Sequence, residues 1–216
     1  SLLSYGQTTL GLIAHWDMDS TVNDMSGHGH NGHASNMLPA PGMDGIPGHA
    51  YYFNGTNAGI TVPYMPDLNV SSYTIAVRLK VSGFYKGPCH GNTLFWRGNS
   101  SGAPGGYKLS FDDYPAGYGC TTAIDTTLES FVPSANSMTG TLHAPSLTPF
   151  DHTPHVQTNM WYTVVATFND TVFKVYINNV LKTNVTCVSP GVPMGTSTDS
   201  ASIGFCVYDA GIGYPY

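Results

Sequence analysis

Three aspartates, Asp17, Asp19 and Asp24, fall within eight residues near the start of the chain and are followed by Ser26-Gly27. Hard carboxylate oxygens so close together, beside a glycine that lets backbone carbonyls turn inward, are what Ca2+ needs to fill six to eight positions. The spacing predicts a structural calcium ion held by Asp24, Asp19 and Asp17. A plainer use competes, because Asp before Ser-Gly also makes Asx-turns, in which the carboxylate accepts backbone N–H groups. Downstream, the spacing of His28, His30 and His33, with His49 further on, suits zinc. Ordering a Gly-rich loop around an ion is costly, so these histidines are read as polar loop residues.

Catalysis has less support. Jelly-roll glucanases need two carboxylates about 5 Å apart across the sugar bond. Glu129 is solitary here, and Asp112-Asp113 are neighbours that alternate across a strand. The expectation is a protein that is not an enzyme. For binding, Trp96, Arg97, Tyr114 and Tyr118 supply the rings and planar donors that recognise sugars, although a strand tryptophan such as Trp96 also suits packing.

Cys89, Cys120, Cys187 and Cys206 form no CxxC pair and no zinc spacing, so their even number predicts two disulfides. Sequence neighbours suggest Cys89 with Cys120 and Cys187 with Cys206, with connectivity open among three pairings. Ser4 and Gly6 sit where a signal peptidase reads small residues before Gln7, so residues 1–6 are taken as a signal-peptide remnant. Both features place the chain outside the cell.

Composition narrows the partners. The chain has 216 residues, 9% of them charged, with 7 Lys and Arg against 13 Asp and Glu. The formal charge of −6 and the absence of a basic stripe argue against nucleic acid. No long apolar run exists to insert into a membrane.

The elements that must position these residues are strands. Tyr73, Ile75, Val77, Leu79 and Val81 alternate with polar residues, and so do Tyr162, Val164, Ala166 and Phe168. Asn169-Asp170 and Asn178-Asn179 then mark turns of a three-strand meander ending near Val185. Further strands are predicted at Leu12 to Met18, Ala50 to Asn54, Gly59 to Pro63, Thr93 to Trp96, Tyr107 to Phe111, Thr121 to Leu128 and Ala201 to Tyr208. Asn23 to Gly48 and Phe131 to Thr158 read as long irregular loops. About ten strands without helices between them predict one all-β domain over 7–216, an antiparallel β-sandwich.

Four segments carry a family resemblance: Gly11 to Trp16 running into Asn23-Asp24-Met25-Ser26-Gly27; Tyr52-Phe53-Asn54-Gly55 with Ile60 to Pro63; Ser72 to Val77; and Trp161 to Val165 followed by Val175 to Asn178. In this order they resemble laminin-G-like, concanavalin A-like jelly-roll modules of secreted Bacteroidota proteins. The resemblance implies a jelly roll, an extracellular adhesion or carbohydrate-recognition role, and calcium near Asp24. It also implies a closing strand beyond Tyr216, so the domain is expected to lack its final strand. A native stop there would leave an open edge for strand exchange into a homo-polymer. The partners expected are a glycan or a cell-surface protein.

Overall fold

The alternation seen in the sequence becomes a two-layer antiparallel sandwich in the computed structural model, which describes residues 10–83, 92–98, 104–112, 130–136, 142–143, 156–187, 190 and 193–204. The early strands are β1 (His33–Ser35), β2 (Leu38–Ala40), β3 (Ala50–Tyr52), β4 (Gly59–Val62) and β5 (Tyr73–Lys80). Next come β6 (Asn92–Arg97), β7 (Tyr107–Asp112), β8 (Ser130–Asn136) and β9 (Leu142–His143). The chain then forms β10 (Trp161–Phe168), β11 (Val172–Ile177), β12 (Val180–Thr186) and β13 (Ala201–Ile203).

The larger sheet has the order β1-β4-β13-β6-β7-β8-β9, and the smaller one β12-β11-β10-β5. A ribbon of β2 and β3 stands apart from both. Among the described residues there is no α-helix, only a 3₁₀ turn at Pro66–Leu68, and no helix long and apolar enough to cross a membrane.

Burial follows the period of two. Along β5 and β10 the residues Tyr73, Tyr162, Val164, Ala166 and Phe168 are buried, while those between them are partly or fully exposed. The turns obey their chemistry as well. Asn178 and Asn179 both adopt positive φ (49° and 68°), the pairing a two-residue hairpin requires. The Asn178 side-chain oxygen also accepts from the Thr163 amide at 2.9 Å, tying the turn to β10.

Aromatic rings join the two layers. Phe173, Phe168 and Tyr73 lie in one cross-strand row of the smaller sheet, with centroids 4.4 Å and 5.8 Å apart. Tyr73 stacks at 4.9 Å on Tyr107 of the larger sheet, and Tyr107 meets Phe95 at 5.8 Å. Trp16 continues the series, 6.4 Å from Phe95. Each pair adds roughly 0.5–1.5 kcal/mol beyond its area burial.

Several sequence expectations change. Leu12 to Met18 is not a strand; its polar groups are met by loop partners, with the His15 amide on Asp24 and the Trp16 indole on the His30 carbonyl. The stretch read as irregular from Asn23 to Gly48 contains β1 and β2, and the second one contains β8 and β9. The strand expected at Thr121 to Leu128, and the end of the one expected at Ala201 to Tyr208, lie outside the described residues.

Phe168 is 1% exposed in the ring series, between Phe173 and Tyr73. Its replacement by alanine is expected to cost about 3–5 kcal/mol in urea unfolding. A loss under about 1 kcal/mol would show that the series does not join the sheets.

Candidate functional site

Arg97 ends β6 with its side chain pointing into the sandwich, on the same face as Phe95, and is 0% exposed. A buried guanidinium must spend its donors on fixed acceptors. One terminal nitrogen (NH1) donates to the Gly105 carbonyl at 2.7 Å. The other (NH2) donates to Asn69 Oδ1 at 2.8 Å and to the Ser197 carbonyl at 2.6 Å. Its buried Nε–H has no partner among the described residues. Burial lowers the Arg97 pKa, and the nearby Tyr107, Asp199 and Tyr64 oppose that. Tyr107 lies beneath the guanidinium, 6.0 Å from ring centre to Cζ, and burial pushes its own pKa up to about 12. The Tyr107 hydroxyl donates to the Leu68 carbonyl at 3.2 Å.

Three connections far apart in sequence are thereby pinned together. Asn69, just after the 3₁₀ turn, accepts at Oδ1 from Arg97 and also from the Ser197 amide at 2.9 Å. Gly105 must be glycine, because its φ is +75° and a Cβ would lie 2.6 Å from the Gly195 carbonyl oxygen.

An open cleft of about 550 Å3 forms over this knot. Tyr64 and Asn69 line it from the β4–β5 connection, Pro104 from the β6–β7 connection, and Thr196 to Asp199 from the segment before β13. Asn69 Nδ2 donates to the Tyr64 hydroxyl at 3.4 Å, leaving that hydroxyl's proton for another acceptor. The Ser197 hydroxyl donates to Asp199 Oδ2, and the Asp199 amide returns a bond to Ser197 Oγ at 3.0 Å. The cleft thus offers hydroxyls, an amide and a carboxylate on a preset frame beside one aromatic ring.

The aspartates expected to share calcium are not gathered. Among the described residues no group of three or more His, Cys, Asp or Glu side chains is placed to hold a metal ion. Asp17 Oδ1 accepts from the Asp19 amide at 3.1 Å, an Asx-turn. Asp24 is a backbone clamp. Its Oδ1 accepts from the His15 and Ser26 amides at 2.9 Å each, and its Oδ2 from the His30 amide at 3.0 Å and the Ser26 hydroxyl at 2.7 Å. Partial burial alone would raise its pKa, but these bonds outweigh that and hold the carboxyl far below its ordinary range.

The histidines divide. His33 is exposed on β1, whereas His30 is 1% exposed, with Nε2 3.0 Å from Asp67 Oδ2. His28 Nδ1 lies 3.8 Å from the same oxygen. Nothing in the loop's composition marked His30 as a core residue.

Of the residues offered for ligand binding, Arg97 is sealed beneath the cleft and shapes it without lining it. Trp96 is half-buried, with Lys108 Nζ 5.2 Å from its ring centre. Tyr114 and Tyr118 lie outside the described residues. Cys89, Cys120 and Cys206 do too, so no disulfide pairing is described; Cys187 is buried in the aromatic half of the core. Tyr64, Asn69, Ser197 and Asp199 were not singled out for a ligand site, since only folding brings residues 64–69 against 196–199.

The backbone path has a precedent among solved structures. Domain 4 of AbnA, an extracellular GH43 arabinanase from Geobacillus stearothermophilus solved in complex with arabinotriose, aligns with a TM-score of 0.58 at 19% identity. The alignment covers 94% of this chain and 87% of that one. An alginate lyase from Alteromonas sp. 272 aligns more loosely, with a TM-score of 0.39, 14% identity, and coverage of 75% and 61%. No family model matches the chain, and no curated protein sequence does. The fold is an all-β, jelly-roll-like β-sandwich.

A second polar cluster ties the first long loop. His49 Nδ1 is 2.8 Å from Asp44 Oδ2, and its Nε2 is 3.6 Å from Asp19 Oδ1. The hydrogen bond with Asp44 raises the His49 pKa above 6.5, with desolvation opposing and Asp19 reinforcing. The Ile46 amide, then His49, lowers that of Asp44 below 3.8. The His49 contribution is complete below pH 6.5 and is lost as pH rises through the raised value; that of Asp44 is present above pH 3.8 and is lost as pH falls. The melting difference between wild type and His49→Ala should therefore be largest between about pH 4 and pH 6.5 and shrink as pH rises through the raised His49 value. A difference independent of pH would contradict this pairing.

Proposed function

We propose that this chain is a non-catalytic carbohydrate-recognition module acting outside the cell, with the Arg97-braced cleft as its sugar site. The observation that carries the reading is the cleft's lining. Asp199, whose Oδ2 accepts from the Ser197 hydroxyl, lines one open cleft together with Tyr64, Thr196 and Thr198. Sugar rings present alternating donors and acceptors around an apolar face, and a site of this kind meets both at once. Holding these groups in advance lowers the entropy lost when a flexible oligosaccharide binds.

The chemistry of the lining supports recognition over cleavage. Glycoside hydrolysis uses two carboxylates, and Asp199 is the one acid on the described lining. Domain 4 of the arabinanase, solved with arabinotriose, supports the sugar class by likeness of fold.

Isothermal titration against neutral arabino-, xylo- and gluco-oligosaccharides is the test. Binding of at least one series is expected, weakened at least tenfold (about 1.4 kcal/mol) by Asp199→Ala and by Tyr64→Ala. No binding to any of them, or binding indifferent to both changes, would overturn the proposal.

A further inference from the structure

The four strands of the smaller sheet hold Arg78, Lys80, Lys174 and Lys182 and not one Asp or Glu. The whole chain has 7 basic and 13 acidic residues, so the rest of the molecule keeps three cations against all 13 acids. One sheet is thus formally +4 in a chain whose total is −6. The absence of a basic stripe holds along the sequence and fails in space.

Strand alternation puts these charges on the outer face. Phe173, Val175 and Ile177 are buried, which turns Lys174 and Tyr176 outward. Arg78 and Lys80 are exposed on β5, and Lys182 is exposed at the bulge of β12. Lys80 lies opposite Trp161 with its Nζ 5.5 Å from the ring centre. Arg78 faces Thr163, and Thr74, Thr167, Lys174 and Asn184 make one cross-strand row. From Lys80 to Lys174 is six residues along and two strands across, about 20 Å.

We propose that this outer face is a separate binding surface for an acidic polysaccharide of the polyuronate class. Charge complementarity selects a polyanion. The spacing selects its kind: duplex DNA carries one charge per 1.7 Å or so of axis, far denser than a few cations over about 20 Å. An extended chain with one carboxylate per sugar ring matches that sparse spacing. Threonine hydroxyls and the Asn184 amide lie between the cations to meet sugar hydroxyls, and the rings of Trp161 and Tyr176 offer apolar faces. The inference rests on the charge partition and is independent of the cleft.

Affinity electrophoresis of the full chain in gels containing polygalacturonate, or no polysaccharide as control, tests it. Retardation by polygalacturonate is expected, falling as salt rises and reduced at least tenfold in the triple variant R78Q/K80Q/K174Q. Asp199→Ala should leave it unchanged, which separates this surface from the cleft. If the triple variant melts early, K174Q alone should still weaken retardation. No retardation, or retardation the lysine and arginine changes leave intact, would overturn the proposal. Equal competition by duplex DNA of the same charge concentration would overturn the assignment to polysaccharide.

Discussion

The Arg97 guanidinium is the constraint from which the cleft follows. It is a charge sealed from the surface, so its hydrogen bonds to Gly105, Asn69 and Ser197 are obligatory. Those acceptors belong to three different connections, which leave the same end of the neighbouring strands β4, β13, β6 and β7 and which the guanidinium ties to one another. Removing one partner of a buried charge costs about 3–5 kcal/mol, more than a surface contact could contribute. Loops braced from below can stay short of secondary structure and still hold Tyr64, Ser197 and Asp199 in place. Arginine suits the task better than lysine because its planar fork reaches several acceptors at once.

That knot depends on the core beneath it. Tyr107, which carries the guanidinium, is also the ring through which the smaller sheet stacks on the larger one. The aromatic series therefore bears on the fold and on the site alike. The two surfaces differ in charge logic. The cleft presents a carboxylate, with its cation sealed below, whereas the outer face of the smaller sheet displays cations with no acid in its strands.

Legibility in the sequence followed the range of the interactions. Strands β5, β10 and β11 were readable because alternation is local, and the Asn178-Asn179 turn because positive φ favours asparagine. Short strands β1 and β2 were hidden in a stretch rich in glycine and proline, where pairing is decided by distant β4 and β3. Asp24 carried two readings, and the turn reading describes the bonds it makes. Arg97 was visible as a planar donor; that it would be sealed inside depends on acceptors 8, 28 and 100 residues away. The charge partition was invisible to composition, which averages over faces that only the sheet separates.

Amide hydrogen exchange on Arg97→Lys is the most direct measure of the brace, since lysine keeps the charge and loses the fork. Exchange should quicken together around Asn69, Gly105 and Ser197 while β10 and β11 keep their protection. Unchanged exchange at those three segments, or uniform loosening of the whole sandwich, would contradict the account.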